Sequence, residues 1–398
     1  MPRAAIVAPV RTPVGKFLGA LKDIPAERLA AQVVAETVRR SGIDPALVED
    51  VVMAQSYANS EAPCIGRWAA LAANLPIEVP GIQIDRRCAG GLQALVTAAM
   101  MVETGAADVV IAGGVESMSN IEYYTTAMRG GARAGNALLF DRLERGRERS
   151  QPVERFGVIS GMIETAENVA KEMNIAREDA DAFAAESHRR AAAAQSANRF
   201  ADEIVAVAVP QKKGDPLMVS ADEGVRADTT AASLGALKPM LKGGQVTAGN
   251  SSQQNDAAAA MLIVAEDKLA ALNLKPLGFL VGWSASGCHP GTMGLGPVPA
   301  VKKLFARTGK SWKDIGLVEL NEAFAAQVLG VLRGWDWDDR ARLNVDGGGI
   351  SLGHPIGATG ARIAVTLLHQ MQRSGTQYGL ETMCVGGGQG MAAIFERA

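Results

Sequence analysis

Gly42-Ile43-Asp44-Pro45-Ala46-Leu47-Val48-Glu49-Asp50-Val51-Val52 runs parallel to Gly309-Lys310-Ser311-Trp312-Lys313-Asp314-Ile315-Gly316-Leu317-Val318-Glu319, and the spacing from Gly42 to Gly309 is 267 residues. At that spacing the helical stretch Leu29 to Ser41 meets Gly296 to Thr308, Val34 falls on Val301 and Val38 on Phe305. Cys88 falls on Pro355, beside His354. The spacing widens to 273 where Gly113-Gly114 meets Gly386-Gly387, as a small insertion would produce. Identity between the two stretches is low. The shared order (helix, turn, strand, Gly-rich site, helix, strand, Gly-Gly) is what indicates a duplicated domain.

Each half alternates short apolar runs with helical patterns. Ala4 to Val10, Asp50 to Ala54 and Asp108 to Ala112 read as strands, and Ala26 to Arg40 and Gly91 to Glu103 as helices. This alternation predicts an α/β fold with helices packed on mixed sheets. The expected division is a first half over 1–119 and 250–270, an inserted segment over 120–249, and a second half over 271–398. The insertion holds the run Asp141-Arg142-Leu143-Glu144-Arg145-Gly146-Arg147-Glu148-Arg149, read as a solvated face. It also holds the helix-prone stretch Thr165 to Asn198, and the strand Ala257 to Ala265 returns the chain to the first half.

A length of 398 residues exceeds one ordinary core. Apolar content of 48% with 21% charged residues describes a globular protein. A net charge of -2 and a pI near 6.2 supply no general field for nucleic acid or an anionic membrane. The four cysteines, 64, 88, 288 and 384, lack CxxC spacing and a dense framework, so neither a zinc site nor a disulfide scaffold is indicated, and a reducing compartment fits. The start, Met1 to Arg11, has no long apolar core before a cleavage site, and no apolar run reaches bilayer-spanning length. The expected location is the cytoplasm.

In Asp85-Arg86-Arg87-Cys88-Ala89-Gly90-Gly91-Leu92 an extended stretch breaks at a cysteine just before a helix. Amide dipoles at a helix N-terminus favour a thiolate, whereas a buried structural cysteine is the plainer alternative. Ser351-Leu352-Gly353-His354-Pro355 and Met383-Cys384-Val385-Gly386-Gly387-Gly388 add an imidazole and a second thiol, each in a Gly-rich turn that lets backbone approach a ligand.

Together with Arg11-Thr12-Pro13-Val14-Gly15, Gly113-Gly114-Val115-Glu116-Ser117-Met118-Ser119, Thr165-Ala166-Glu167-Asn168, Thr247-Ala248-Gly249-Asn250-Ser251-Ser252 and Asn321-Glu322-Ala323-Phe324-Ala325, these segments resemble the thiolase family along nearly the whole chain. The resemblance implies two similar halves with their central helices packed together, and a loop domain, 120–249, that covers the active site and binds coenzyme A. It implies reversible acyl transfer between CoA thioesters, with Cys88 as nucleophile, His354 as the base beside it and Cys384 as the acid/base at the α-carbon. Asn321 would hold a water beside His354, and the amides of Cys88 and Gly386 would form a second oxyanion hole. Ser252 and Arg226 match CoA-binding positions, and Met162, Met293 and Phe324 match the acyl pocket. No metal or prosthetic group is implied, the partners are acyl-CoA substrates, and relatives form homodimers or homotetramers.

This chain departs from the family pattern at Asp85, at Gly161, at Leu241 and in Gly287-Cys288-His289-Pro290. Smaller or less polar side chains at 161 and 241 suggest a tunnel that admits chains longer than acetoacetyl. Besides an acetyl-CoA acetyltransferase, three readings stand: a degradative thiolase of longer chains, a decarboxylating ketosynthase, and a non-catalytic CoA- or lipid-binding relative. The ketosynthase generally has histidine where this chain has Cys384, and the non-catalytic relative tends to lose residues that are present here.

Overall fold

Val51 and Met53 face one core and Val52 and Ala54 another, the period-two pattern of a strand buried on both sides. The fold is described from a computed structural model that covers residues 1–159 and 161–398. The first half supplies β1 (Ala4–Arg11), α1 (Ala26–Ser41), β2 (Asp50–Ala54), β3 (Ile82–Ile84), α2 (Gly90–Glu103) and β4 (Val109–Ser117). The insertion supplies α3 (Arg142–Glu148), α4 (Met162–Glu172) and α5 (Arg177–Ser196), and β5 (Asn255–Ala265) closes the first half. The second half runs β6 (Gly278–Gly287), α6 (Pro297–Thr308), β7 (Leu317–Leu320), α7 (Ala325–Trp335), α8 (Thr359–Ser374), β8 (Tyr378–Val385) and β9 (Gln389–Arg397).

The strand order β7-β8-β9-β6-β1-β5-β4-β2-β3 is a palindrome of the duplication. In each half a parallel pair (β2 with β4, β7 with β8) is followed by two antiparallel neighbours, and the halves join where Ala5 and Ile6 pair with Phe279 and Gly278. α1 and α6 both end at a glycine in the left-handed region, Gly42 (φ 70°) and Gly309 (φ 67°), which is why those two residues anchor the repeat.

One part of the sequence alignment is corrected. Asp50 pairs with Val110 and Leu317 with Gly379; Gly379 lies 269 residues after Val110, so Gly113-Gly114 corresponds to Thr382-Met383 rather than to Gly386-Gly387. The two glycine pairs meet different needs. A Cβ on Gly114 would stand 2.2 Å from the Gly357 carbonyl, whereas Gly387 and Gly388 turn the chain at φ +87° and +85°. Likewise the turn Arg87–Ala89 before α2 matches Ile356–Ala358 before α8, so Cys88 corresponds to Gly357, not Pro355. The stretch Thr165 to Asn198 is two helices, α4 and α5, parted at Asn174 (φ 51°).

α2 and α8 are buried along most of their length because strands of both halves pack around them in one core; α2 is apolar on nearly every face, whereas α8 also buries Arg362, Thr366 and Gln370. α1 covers the outer face of the first half-sheet; α6 and α7 cover that of the second. The central helices meet backbone to backbone: a Cβ on Gly91 would lie 2.4 Å from the Ala361 nitrogen, and one on Gly360 2.3 Å from the Leu92 nitrogen. No helix among the described residues is long and apolar enough to cross a membrane.

Because the obstacle at Gly360 is backbone, Gly360→Ala separates the helices instead of rotating a side chain aside. Overpacking of this kind costs about 1–3 kcal/mol. Thermal or urea unfolding is expected to register that loss, and an unchanged midpoint would contradict the contact.

Candidate active site

Cys88 lies in the turn Arg87–Ala89 immediately before α2, buried with Tyr57, Met118, Leu143 and Ile356. Its lead-in is strained: Arg87 has φ 48°, held by the Asp85 carboxylate, which accepts from the Arg87 amide at 2.6 Å. The sequence reading made this a thiolate favoured by the helix terminus. Burial dominates instead and pushes the thiol up, against the amides of Gly386 and of Cys88 itself and the charges of Arg87 and Arg147, which pull it down. The resting form is the thiol.

His354 comes from the other half, in the lead-in to α8. Gly353 before it has φ +107° and packs against Asn255, whose Oδ1 accepts from the His354 amide at 2.8 Å. Nδ1 lies 2.7 Å from the Thr359 hydroxyl, and that hydroxyl donates to the Pro355 carbonyl at 2.9 Å. Its proton being committed there, the hydroxyl accepts from Nδ1–H, which assigns Nε2 as the unprotonated, basic nitrogen. Burial, with Arg362 and Arg147, lowers the imidazole to about 3, so the ring is neutral.

Glu116 ties the two turns together. Its carboxylate accepts from Ser56 at 3.1 Å, Tyr57 at 3.3 Å and Gly357 at 3.0 Å, and the Ser56 hydroxyl donates to the Arg87 carbonyl at 3.0 Å. Burial raises this carboxyl to about 7. Thus one side chain fastens the approach to Cys88 and that to His354.

Cys384, near the end of β8, is fully buried against Ala166, Met293 and Phe324, and its thiol is pushed well up by burial, then by the nearby sulfurs of Cys88 and Cys288. Asn321 is 1% exposed, and neither heteroatom of its side-chain amide has a partner among the described residues, a state that calls for a water or ligand at that spot.

A cavity of about 660 Å³ opens onto Cys88 and His354. Gly386, Ser252, Arg226, Met162, Met293 and Phe324 all line it, as do the variant positions Gly161 and Leu241. Cys384, packed against the lining residues Met293 and Phe324, stands behind this wall. Ser252 donates its amide to the Ala323 carbonyl at 2.9 Å, and the Arg226 amide donates to Nδ1 of His188 at 3.2 Å.

Four contributors escaped the sequence reading as site residues. Glu116 sits inside a quoted motif, and its charge within an apolar strand was the available signal. Thr359 and Asn255 act through hydrogen bonds that no spacing reveals. Arg147 belongs to the run read as solvated. That run forms α3, capped by Asp141, whose Oδ1 accepts from Leu143 at 2.8 Å; its inner side carries the buried Leu143 and brings Gly146 and Arg147 to the cavity.

Residues 4–267 match the family model for the thiolase N-terminal domain and 274–397 that for the thiolase C-terminal domain. The chain is 45% identical to an acetyl-CoA acetyltransferase of Chromobacterium violaceum over 99% of both chains. Among solved structures, the Bacillus anthracis acetyl-CoA acetyltransferase superposes with a TM-score of 0.96 at 41% identity, covering 100% of this chain and 99% of that one. Human mitochondrial 3-ketoacyl-CoA thiolase superposes at 0.94 with 37% identity, over 100% and 99%.

A neutral buried His354 leaves a mark on stability. In the unfolded chain the imidazole takes up a proton as pH falls through about 6.5, while the folded ring takes it up only near 3, so stability is lost on acidification. Between pH 6.5 and 4.5 wild type is expected to lose about 2 kcal/mol relative to His354→Gln in urea unfolding; parallel curves would contradict the buried neutral ring.

Proposed function

The chain belongs to the thiolase family, and from that premise we propose that it is an acetyl-CoA C-acetyltransferase working by a ping-pong mechanism through an acyl-Cys88 thioester. Support comes from one juxtaposition: the Cys88 thiol, on the helix lead-in of one half, and His354, on that of the other, open on a single cavity, with the Gly386 amide directed at the sulfur.

In thiolysis, Cys88 passes its proton to Nε2 of His354 and its sulfur adds to C3 of a 3-oxoacyl-CoA. The amides of Cys88 and Gly386 stabilise the oxyanion. Collapse breaks the C2–C3 bond, and its electron pair goes to C2. The enolate oxygen of the departing acetyl-CoA is held by Nε2–H of His354 and by a water on Asn321, and Cys384 delivers its proton to C2. C3 and everything beyond it remain on Cys88. Coenzyme A then gives its thiol proton to the Cys384 thiolate and takes the acyl group, and the Cys88 sulfur recovers its proton from His354. Condensation of two acetyl-CoA is the reverse.

In this reading Arg226 of the loop domain 120–249 and Ser252, just beyond it, hold coenzyme A, and Met162, Met293 and Phe324 shape the acyl pocket. The protein works in fatty acid metabolism in the cytoplasm, as a homodimer or homotetramer. The second reading, thiolysis of longer chains, is favoured by Gly161, where a Cβ would meet nothing nearer than a Glu144 carboxylate oxygen at 3.7 Å.

Two variants separate the thiols. Cys88→Ser is expected to lower kcat/KM for acetoacetyl-CoA at least about a thousandfold and to leave no acetyl group on the protein. Cys384→Ala is expected to lose carbon–carbon cleavage yet still take an acetyl group onto Cys88 from acetyl-CoA, read by mass spectrometry. Thiolysis of 3-oxoacyl-CoA from C4 upward decides between the readings: rates highest at C4 support the acetyltransferase, and a maximum at longer chains supports the degradative enzyme.

A further inference from the structure

The cavity wall is mostly apolar, yet the segment that closes over Cys88 carries a guanidinium. α3 and the turn after it lie across the nucleophile: the Tyr57 hydroxyl donates to the Leu143 carbonyl at 3.3 Å, a Cβ on Gly146 would meet the Tyr57 ring at 3.1 Å, and one on Gly387 would meet the Ser150 carbonyl at 2.9 Å. Leu143 and Arg147 stand four residues apart on α3, so Arg147 falls on the same side as the buried Leu143, and it lines the cavity.

Arg147 is only partly engaged. Nε is buried without a partner among the described residues, and one terminal nitrogen reaches the exposed Glu144 carboxylate at 3.2 Å, a pairing that solvent weakens. The neighbouring cation differs: Arg87 donates to the Gly146 carbonyl at 3.4 Å and lies 5.5 Å from the Tyr57 ring centroid. Arg147 lines the same cavity as Cys88 and His354, and although burial sets the pKa values of those two groups, its charge bears on both.

The cleavage chemistry says what passes there. C3 and the rest of the acyl group stay on the Cys88 sulfur while the CoA moiety leaves with C1 and C2. A cation on the segment over Cys88 therefore meets the acyl tail. A hydrocarbon tail would leave guanidinium donors unpaired in an apolar wall, whereas a carboxylate accepts two of them at once.

Resting on the thiolase reading above, we infer that Arg147 is a specificity-determining residue that selects 3-oxoacyl-CoA substrates whose acyl chain ends in a second carboxylate. The acyl-enzyme is then a half-acid on Cys88 with its free carboxylate on Arg147, and the products are acetyl-CoA and a dicarboxylic mono-CoA thioester.

The test compares kcat/KM for thiolysis of two six-carbon 3-oxoacyl-CoA esters, one ending in a carboxylate and one in a methyl group, in wild type, Arg147→Met and Arg147→Lys, with circular dichroism and the melting midpoint as controls on folding. Expected is a carboxylate-to-methyl ratio above one in wild type, reduced tenfold or more by Arg147→Met and less by Arg147→Lys. A wild-type ratio at or below one, or a smaller reduction in the methionine variant, overturns the assignment. Acetoacetyl-CoA, which has no distal carboxylate, checks the thiolase reading separately. Its cleavage alongside a ratio at or below one removes the role of Arg147 alone, and no cleavage of any of the three substrates overturns both.

Discussion

At Gly91 and Gly360 the two central helices touch backbone to backbone, and the positions of Cys88 and His354, on the turns that lead into them, follow from that contact. Side chains there would push the axes apart. With none, the lead-in turns of α2 and α8 converge, and Cys88 from one half comes to the same cavity as His354 from the other. Glu116 then locks the convergence, since one carboxylate binds an amide of the α8 lead-in together with two amides of the loop that grips the Arg87 carbonyl. A large-scale packing constraint is thereby converted into fine placement of two side chains.

Burial that brings these groups together also decides their charge. Sulfur and imidazole both rest neutral because a dry site penalises each ion singly, the thiolate and the imidazolium alike. In the proposed mechanism proton transfer between them creates both ions at once on a single cavity, with the Gly386 amide at the sulfur, so each offsets the other's desolvation. A substrate that brings a carbonyl to the amides completes the set. The ion pair is therefore favoured only when an acceptor is present, which limits side reactions of a free thiolate.

Much of this was legible in the chain. The repeat could be read because helix ends obey local rules: Gly42 and Gly309 are both left-handed caps, and the apolar rows Val34/Val301 and Val38/Phe305 hold the same helix faces. The nucleophile and base stood out because thiol and imidazole are rare and were flanked by glycine. What the sequence did not disclose is whatever depends on partners far away in the chain. Nothing local in Thr359 says that it fixes a histidine tautomer, and nothing in Asn255 says that it receives an amide from residue 354. The run 141–149 shows the opposite failure. Its composition belongs on a surface, and half of it is there, but a short helix has two sides and the inner one reaches the cavity. The thiolate expectation failed because a helix terminus was weighed without the burial that accompanies it.

The duplication makes one site, not two, and Gly357 explains why. It is the counterpart of Cys88, at the same place in the turn before the central helix. A Cβ there would stand 2.7 Å from the Val115 carbonyl and 3.0 Å from the Glu116 carboxylate, and the position also donates its amide to Glu116. Any side chain, a cysteine included, would expel the carboxylate that aligns both turns. In the proposed mechanism the second half therefore has no nucleophile of its own, and it contributes instead His354 from the lead-in turn, Asn321 after β7, Cys384 at the end of β8 and Gly386 just beyond it. Neither half alone holds all the residues of the proposed mechanism, and the Glu116–Gly357 contact that fastens their two turns together is the one that excludes a second copy.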